Sequence, residues 1–260
     1  MKMKPTVAVH KFSSCDGCQL AFLNAGEALV TLAGLVDIVH FAEAGYLDEE
    51  AKVDIAFIEG SVSTPHELER IKTIRENSAM VITIGACATS GGLQALRNMH
   101  DKDQWVEGVY ALPEYIELLE DSRPISEFVK VDLELWGCPI NTRQVVAAVR
   151  ALLFGVLPVD EHDKVCQECK RQQHVCVMVA KDEPCMGPVT RTGCGAICPS
   201  VGRDCYACYG PAELPNTGAM ARRLEGLGLT SEAIAQRFLF INNHAEAFRE
   251  EAIKWQEQGQ

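Results

Sequence analysis

Cysteine density constrains this chain more than any other feature of its sequence. Five cysteines fall within the 24 residues 185–208, and the whole chain of 260 residues has 12. Cysteines at this density are typical of disulfide frameworks, zinc modules or iron–sulfur sites. The N-terminal stretch has no long apolar segment, twin arginine or small-residue cleavage site. We therefore expect a cytoplasmic chain with reduced thiols, in which dense cysteines indicate metal binding rather than disulfides.

The overall composition excludes two broad classes of function. Apolar residues make up 47% of the chain, as in globular proteins, and the net charge is −12. A nucleic-acid-binding surface needs clustered positive charge, so the acidic balance argues against such a partner. No apolar run reaches the about 18 residues that a membrane-spanning helix needs. We expect neither a nucleic-acid partner nor a membrane span.

Strand and helix patterns alternate through residues 1–157. The strand patterns are continuous apolar runs at 6–12, 36–41, 53–60, 79–86 and 128–137. The helical patterns lie between them, at 19–35, 65–77 and 142–154. Continuous apolar strands are typical of a parallel sheet that is buried on both faces. Residues 1–157 are therefore predicted to form a flavodoxin-like, doubly wound α/β domain.

The composition changes at about residue 158. Residues 160–210 are polar and rich in Gly, Pro and Cys, without a sustained hydrophobic period. Such a segment buries too little apolar surface to order itself, so metal centres would have to hold it together. From about Gly218 the pattern is helical again, and Thr230 or Ser231 can cap a helix. We expect an irregular, cysteine-rich domain with short helices over 158–260.

Four cysteines directly follow predicted strands of the first domain. Cys15 and Cys18 follow the first strand, and Cys87 and Cys138 each follow a later one. The carboxyl ends of parallel strands share one edge of a sheet, so the four thiolates can converge there. Four thiolates are the ligand set of a [4Fe–4S] cluster. The alternative for Cys87 and Cys138 is that each is a buried core thiol. Glycines accompany these cysteines where close approach or a positive φ is expected: Gly17, Gly85, Gly91, Gly92 and Gly137.

Eight cysteines remain, enough for two further sets of four. They are Cys166, Cys169, Cys176, Cys185, Cys194, Cys198, Cys205 and Cys208. A zinc ribbon built on the two C-x2-C pairs would leave the four cysteines between them unused. Two iron–sulfur clusters would use all eight, and Cys194-x3-Cys198-Pro199 resembles the end of a ferredoxin ligand run. Spacing alone does not assign the ligands. Chain order suggests that the first four form one cluster and the last four the other.

In combination, these motifs resemble the small subunit of [NiFe] hydrogenases. The stretches that carry the resemblance are Cys15-x2-Cys18, Gly85-Ala86-Cys87-x3-Gly91-Gly92, Gly137-Cys138-Pro139, Pro184-Cys185-Met186-Gly187-Pro188-Val189-Thr190 and Cys205-x2-Cys208. The resemblance implies three [4Fe–4S] clusters and no catalytic residue in this chain. It implies a proximal cluster on Cys15, Cys18, Cys87 and Cys138, a medial one on Cys194, Cys198, Cys205 and Cys208, and a distal one on Cys166, Cys169, Cys176 and Cys185.

Two departures from the periplasmic and membrane-linked members narrow the resemblance. Cys166 stands where those proteins have a histidine, and Cys198 adds a fourth ligand to their three-iron medial site. Both features, together with residues 53–64, are similar to the sulfhydrogenase delta subunit of cytoplasmic, multimeric, NAD(P)-linked hydrogenases. Gly17 and Gly92 stand where oxygen-tolerant relatives have extra cysteines, which implies an ordinary proximal cubane.

The resemblance also implies partners. A large subunit would carry the nickel–iron site, and flavin/iron–sulfur subunits of the diaphorase type would accept the electrons. A deazaflavin- or heterodisulfide-reductase-linked assembly is the alternative acceptor. Alternatives of other classes are a zinc-binding scaffold and the small quinone-reductase-type subunit of respiratory complexes.

Four other titratable residues could have a functional role, but we interpret them as structural or surface residues. We interpret Glu27 and Glu59 as solvated or capping carboxylates, since this is commoner than a role in proton transfer. His10 is interpreted as a satisfied core or edge residue. His174 could donate a hydrogen bond near a cluster, but we do not expect either histidine to be a ligand.

Overall fold

The computed structural model describes residues 4–156, 158 and 163–259. The chain divides into two compact units, Met1–Pro158 and Val159–Gln260. Within the described residues, no helix has the length and apolar character needed to cross a membrane.

A six-stranded sheet forms the centre of the first unit. Its strands are β1 (Thr6–Lys11), β2 (Asp37–Phe41), β3 (Tyr46–Leu47), β4 (Val53–Glu59), β5 (Ser78–Ile84) and β6 (Leu133–Leu135). Their order is β3-β2-β1-β4-β5-β6, and only the β2–β3 pair is antiparallel. Without the two-residue edge strand β3, this is the flavodoxin-like order. The predicted α/β fold class is confirmed.

The helices of the first unit are α1 (Gly17–Leu23), α2 (Glu27–Ala33), α3 (Pro65–Asn77), α4 (Gly85–Ser90), α5 (Lys102–Val109) and α6 (Thr142–Leu153). All except α5, which has no buried residue, contribute to the cores on the two faces of the sheet. Alternate residues of the central strands enter two separate cores. Phe57 packs with residues of α1, α2 and α6, whereas its neighbours Ala56 and Ile58 pack with residues of α3. Burial on both faces explains why these strands are continuously apolar.

Local signals set the ends of the longer helices. Thr64 accepts a hydrogen bond from the Glu67 backbone, the Glu67 side chain accepts one in return, and Pro65 occupies the first turn of α3. Asn141 and Gln144 form the same reciprocal capping arrangement at the start of α6.

Two sequence-based predictions are wrong in this unit. Residues 19–35 are not one helix, because Gly26 has a φ of 57° and separates α1 from α2. The strand predicted over 128–137 contracts to β6, which is preceded by a 3-10 turn at Ile125–Glu127. No sequence pattern predicted α4, α5 or the long 3-10 segment Gly92–Met99.

The second unit contains short helices around the cysteines and three longer helices after them. They are α7 (Val165–Arg171), α8 (Val177–Ala180), α9 (Ile197–Ser200), α10 (Thr217–Gly226), α11 (Ser231–Leu239) and α12 (Glu246–Gln258). Thr230 caps α11 by accepting from the Ala233 N–H, as predicted. Phe238 and Phe248 pack edge to face between α11 and α12, with ring centroids 5.6 Å apart. The described cysteine-rich segment is irregular, also as predicted.

Candidate metal centres

The four cysteines of the first unit lie in loops at one edge of the sheet. Cys15 follows β1, Cys18 is in the first turn of α1, Cys87 lies in α4 just after β5, and Cys138 follows β6. These strands run parallel to one another in the sheet, so their carboxyl ends are at the same edge.

The thiols of this set are close enough to affect one another's ionisation. Burial, together with the charges of Cys138 and Cys15, raises the pKa of Cys87 to about 12. Burial is also the main cause that raises the pKa of Cys18. The charge of Glu59 raises it next, and Cys87 and Cys138 contribute less. Burial and Cys15 raise the pKa of Cys138. Such thiols become thiolates only beside a positive charge, and a coordinated metal supplies one.

Backbone N–H groups point at two of these sulfurs. Cys18 receives a hydrogen bond from the Ile140 backbone, which lowers its pKa against the effect of burial. Cys87 receives two, from the Gln94 and Leu93 backbones. Hydrogen bonds to cysteine sulfur are one of the ways in which proteins set the potential of an iron–sulfur cluster.

Two glycines leave room for these sulfurs. A Cβ atom on Gly85 would lie 2.3 Å from Cys18 Sγ, and one on Gly92 would lie 2.6 Å from Cys87 Sγ. Both glycines also have positive φ angles, of 84° and 60°. Any larger residue would push into the sulfur positions, so the backbone itself shapes this site.

Glu59 is a buried neighbour of the first set. Its side chain accepts hydrogen bonds from the backbone of Cys18 at 2.8 Å and of Gln19 at 3.3 Å, at the start of α1. It is only 2% exposed, and burial raises its pKa. The expectation of a capping carboxylate is confirmed, and that of a solvated one is wrong. The sequence does not predict that Glu59 is buried, because a single acidic residue at the end of an apolar run can equally lie at the surface.

The other three residues singled out in the sequence differ in their outcomes. Glu27 is exposed in the first turn of α2, as expected. His10 is a core residue, but the interpretation as a satisfied one is wrong, because its Nδ1 has no hydrogen-bond partner among the described residues. His174 shares a hydrogen bond with Gln172 at 2.7 Å, and its proposed contact with a cluster stays a prediction.

Four cysteines of the second unit form a coupled group. Cys166 and Cys169 lie on α7, Cys176 precedes α8, and Cys185 follows in the chain. Burial, together with the charges of Cys166, Cys185, Cys176 and Cys194, raises the pKa of Cys169 to about 11. Burial, then Cys185 and Cys176, raise the pKa of Cys166. These four thiols influence one another, and Cys194 influences Cys169 as well, so the assignment of the four to one cluster stays a prediction.

The last four cysteines interact with one another and with the preceding group. Burial, then Glu168 and Cys198, raise the pKa of Cys194, whereas burial, then Cys185 and Cys208, raise that of Cys205. The backbone N–H of Cys205 also donates to Cys185 Sγ at 3.3 Å, so Cys205 borders the preceding group. The assignment of all four to one cluster stays a prediction.

The donor chemistry fits iron–sulfur clusters. All twelve cysteines are free thiols. In the described part of the chain, no group of three or more His, Cys, Asp or Glu side chains is placed to hold a single metal ion. The four ligands of a [4Fe–4S] cluster bind different iron atoms, so they need not surround one point. Neighbouring thiols, several of which accept hydrogen bonds from backbone N–H groups, are suitable ligands for such a cluster.

The fold and these cysteines define an α/β redox subunit, and comparison with known proteins identifies its family. Residues 15–152 match the family described as NADH ubiquinone oxidoreductase, 20 Kd subunit. Sulfhydrogenase 2 subunit delta of Pyrococcus furiosus is 34% identical over 232 residues, 89% of this chain and 96% of that protein. A vhu subunit of the F420-non-reducing hydrogenase of Methanocaldococcus jannaschii is 30% identical over 238 residues, 80% of this chain and 82% of that protein.

A solved structure agrees with these relatives. A chain of an NAD+-reducing [NiFe]-hydrogenase in the H2-reduced state is 28% identical, with a TM-score of 0.56, covering 60% of this chain and 94% of that chain. The chain therefore belongs to the NADH ubiquinone oxidoreductase 20 Kd subunit family and, within it, to the hydrogenase small subunits. It is a subunit of a hydrogenase, an oxidoreductase.

The family match also bears on the respiratory-complex alternative. The family is described by a respiratory subunit, but its match ends at residue 152, before the eight cysteines of the second unit. The likeness to the Pyrococcus furiosus hydrogenase subunit covers 89% of the chain and so extends beyond the first unit. The hydrogenase identification accounts for more of the sequence.

Proposed function

We propose that this chain is the electron-transfer subunit of a cytoplasmic [NiFe] hydrogenase and binds three [4Fe–4S] clusters. When bound, the clusters would supply one-electron transfer between a nickel–iron site on a large subunit and an NAD(P)-linked flavoprotein partner. The observation that carries the proposal is the convergence of Cys15, Cys18, Cys87 and Cys138 at one sheet edge, with backbone N–H groups aimed at the sulfurs of Cys18 and Cys87.

In this proposal the cysteines act as three ligand sets. The proximal set is Cys15, Cys18, Cys87 and Cys138, the medial set Cys194, Cys198, Cys205 and Cys208, and the distal set Cys166, Cys169, Cys176 and Cys185. Mutual effects on thiol pKa values support the proximal and distal sets. The influence of Cys198 on Cys194 and of Cys208 on Cys205 supports the medial set, and the larger influence of Cys185 on Cys205 is expected if Cys205 borders the distal set.

The proposed ligands differ in their exposure to solvent. Cys18, Cys185 and Cys205 are buried and would keep water from their clusters, which affects the redox potential. Cys15 and Cys176 are the exposed thiols, one in each unit. Exposed ligands suit the two ends of an electron path, where the cofactors of partner subunits must come close.

The names of two relatives bear on the electron acceptor. One structural relative is an NAD+-reducing [NiFe]-hydrogenase, and one curated relative belongs to an F420-non-reducing hydrogenase. We therefore favour NAD(P)-linked flavin/iron–sulfur subunits over a deazaflavin-linked partner. A heterodisulfide-reductase-linked flavoprotein is the second candidate. The cytoplasmic location is part of the proposal, because a reducing compartment keeps cysteines available as ligands.

Anaerobic purification of the affinity-tagged chain from its own cells tests the proposal. We expect about 12 iron atoms and a similar amount of acid-labile sulfide per chain, with nickel and flavin in the copurified subunits. Electron paramagnetic resonance of the reduced protein should show interacting cluster signals. Zinc without sulfide would contradict the proposal and favour the zinc scaffold. A lone chain that contains clusters but has no nickel-containing partner would contradict the hydrogenase assembly only.

Variants of single ligands test the assignment. Cys87→Ser, Cys169→Ser and Cys198→Ser each alter one proposed set, and each should lower the iron content by up to about four atoms per chain. Each variant should also remove a different component of the resonance spectrum. Loss of the same component in two of the variants would contradict the division into three sets.

A further inference from the structure

The carboxylate of Glu168 occupies a concave turn of backbone N–H groups around Cys194. Its Oε1 accepts from the N–H of Gly193 at 3.1 Å and of Gly195 at 3.2 Å. Its Oε2 accepts from the N–H of Ala196 at 3.0 Å and lies 3.8 Å from Cys194 Sγ. Three backbone donors and one thiol therefore face a single side chain.

The backbone of this turn is unusual. Gly193, Gly195 and Ala196 have φ angles of 124°, 72° and 51°, all in the region that side-chain-bearing residues rarely adopt. Successive N–H groups in such a conformation form a pocket for an anion. An alanine there is strained and persists only where its surroundings hold it. The Glu168 carboxylate is the anion that stabilises this turn.

Glu168 also connects two parts of the second unit. It lies on α7 between Cys166 and Cys169, so its backbone belongs to the helix of the distal set. Its side chain, 25 to 28 residues away from its partners in sequence, holds the turn that carries Cys194. After burial, the charge of Glu168 is the largest influence that raises the pKa of Cys194.

We propose that Glu168 is a positioning residue that fixes Cys194 and places a carboxylate charge between the distal and medial ligand sets. The inference rests on the proposed function, in which those sets bind clusters. A fixed negative charge makes it harder to add an electron to a nearby cluster, so Glu168 would lower the reduction potential of the clusters it faces. A residue that only held the turn in shape would leave the potential of a correctly bound cluster unchanged.

Redox titration of the full chain, purified anaerobically and followed by electron paramagnetic resonance, tests the inference. Glu168→Gln keeps the size of the side chain but removes the charge, and should raise the midpoint potential of at least one cluster of the second unit. Glu168→Asp keeps the charge and should return the potential toward the wild-type value. Glu168→Ala removes every acceptor and should lower the iron content by up to about four atoms per chain.

The matched control is Glu225→Gln, which removes the same charge from an exposed position on α10 and should leave all potentials unchanged. Wild-type potentials and spectra in both Glu168→Gln and Glu168→Ala would overturn the inference. If Glu168→Gln loses iron, its potentials cannot be compared, and amide hydrogen exchange of residues 193–196 becomes the test. Exchange should be faster in the variant, and exchange at the wild-type rate would overturn the inference. Wild-type protein without iron would instead contradict the proposed function itself.

Discussion

The imidazole rings of His10 and His40 stack in the core of the first unit, with centroids 4.5 Å apart. The two residues are 2% and 0% exposed. Burial lowers the pKa of His10 to about 3, and the nearby charges of His40 and Arg70 act in the same direction. Burial also lowers the pKa of His40; Arg70 acts with it, whereas Glu49 and Asp48 oppose it. Both rings are therefore neutral at neutral pH.

This stack predicts that the first unit loses stability as the pH falls below about 6.5. In the unfolded chain His10 takes up a proton near its ordinary pKa of 6.5, whereas in the fold it does so only near 3. The unfolded state binds more protons between these values, so stability rises with pH across that window. His10 alone should cost about 2 kcal/mol by pH 5. Urea unfolding midpoints measured from pH 7.5 to 5 check this.

A pair of variants isolates the histidine contribution. His10→Leu removes one of the titrating rings and should reduce the slope of stability against pH. His66→Gln is the matched control, because His66 is exposed on α3, and it should leave the slope unchanged. Equal slopes in wild type and His10→Leu would show that the stack does not determine the acid sensitivity.

Substitution of Gly85 should disrupt the first metal centre. In Gly85→Ala the new Cβ would lie 2.3 Å from Cys18 Sγ, and the backbone φ of 84° would add strain. The sulfur must then move, so we expect loss of up to about four iron atoms per chain. Gly108→Ala is the control, since beyond its chain neighbours and the backbone of its own helix no described atom lies within 4 Å of the new Cβ, and α5 accepts alanine well. Full iron content in Gly85→Ala would contradict this account of the site.

The fold of the first unit was predictable because its signal is local. Buried parallel strands need continuous apolar runs, and such runs cover all or most of β1, β2, β4 and β5. Position 26 shows the limit of such patterns. The apolar period continues through Gly26, but its positive φ ends one helix and begins another. A glycine within a helical pattern does not reveal in advance which φ it will adopt.

The convergence of the four cysteines of the first unit was predictable, because each follows a strand whose carboxyl end lies at a known edge of the sheet. The side chains that support the cysteine-bearing turns were not predictable from the sequence. Glu59 and Glu168 contact backbone N–H groups that are up to 41 and 28 residues away in sequence. No periodic pattern marks such contacts, since they depend on how loops pack in three dimensions. The C-x-x-C spacing shows where Cys166 and Cys169 lie, but not that the glutamate between them holds a distant turn.

Removal of the Glu59 carboxylate should destabilise the start of α1. Glu59→Ala leaves the buried N–H groups of Cys18 and Gln19 without their acceptors, at a cost of about 2–4 kcal/mol. Glu59→Gln retains one amide oxygen as acceptor and should cost less. Glu76→Ala, at an exposed position on α3, is the control and should change the urea midpoint little. The same midpoint in Glu59→Ala and wild type would contradict the capping role.

The last helices of the second unit hold the turn that contains Cys205 and Cys208. Arg237 on α11 pairs with the Asp204 carboxylate and lies over the Tyr206 ring, 5.5 Å from its centroid. The Asn242 side chain donates to the Ala207 carbonyl at 2.7 Å. These contacts flank Cys205 on both sides, so the C-terminal helices would stabilise a ligand-bearing turn that has little core of its own.

Arg237→Ala should therefore destabilise both the turn and the metal centre that we propose there. The Asp204 side chain is 8% exposed, and without Arg237 its charge is left nearly buried and unpaired, at a cost of about 2–3 kcal/mol. Iron content and urea unfolding of the anaerobically purified chain measure the effect. Asp204→Asn combined with Arg237→Ala should recover part of the loss, because it removes the unpaired charge. Arg249→Ala, an exposed position on α12, should change neither quantity. If Arg237→Ala and Arg249→Ala behave alike, the C-terminal helices do not support the Cys205 turn through this pair.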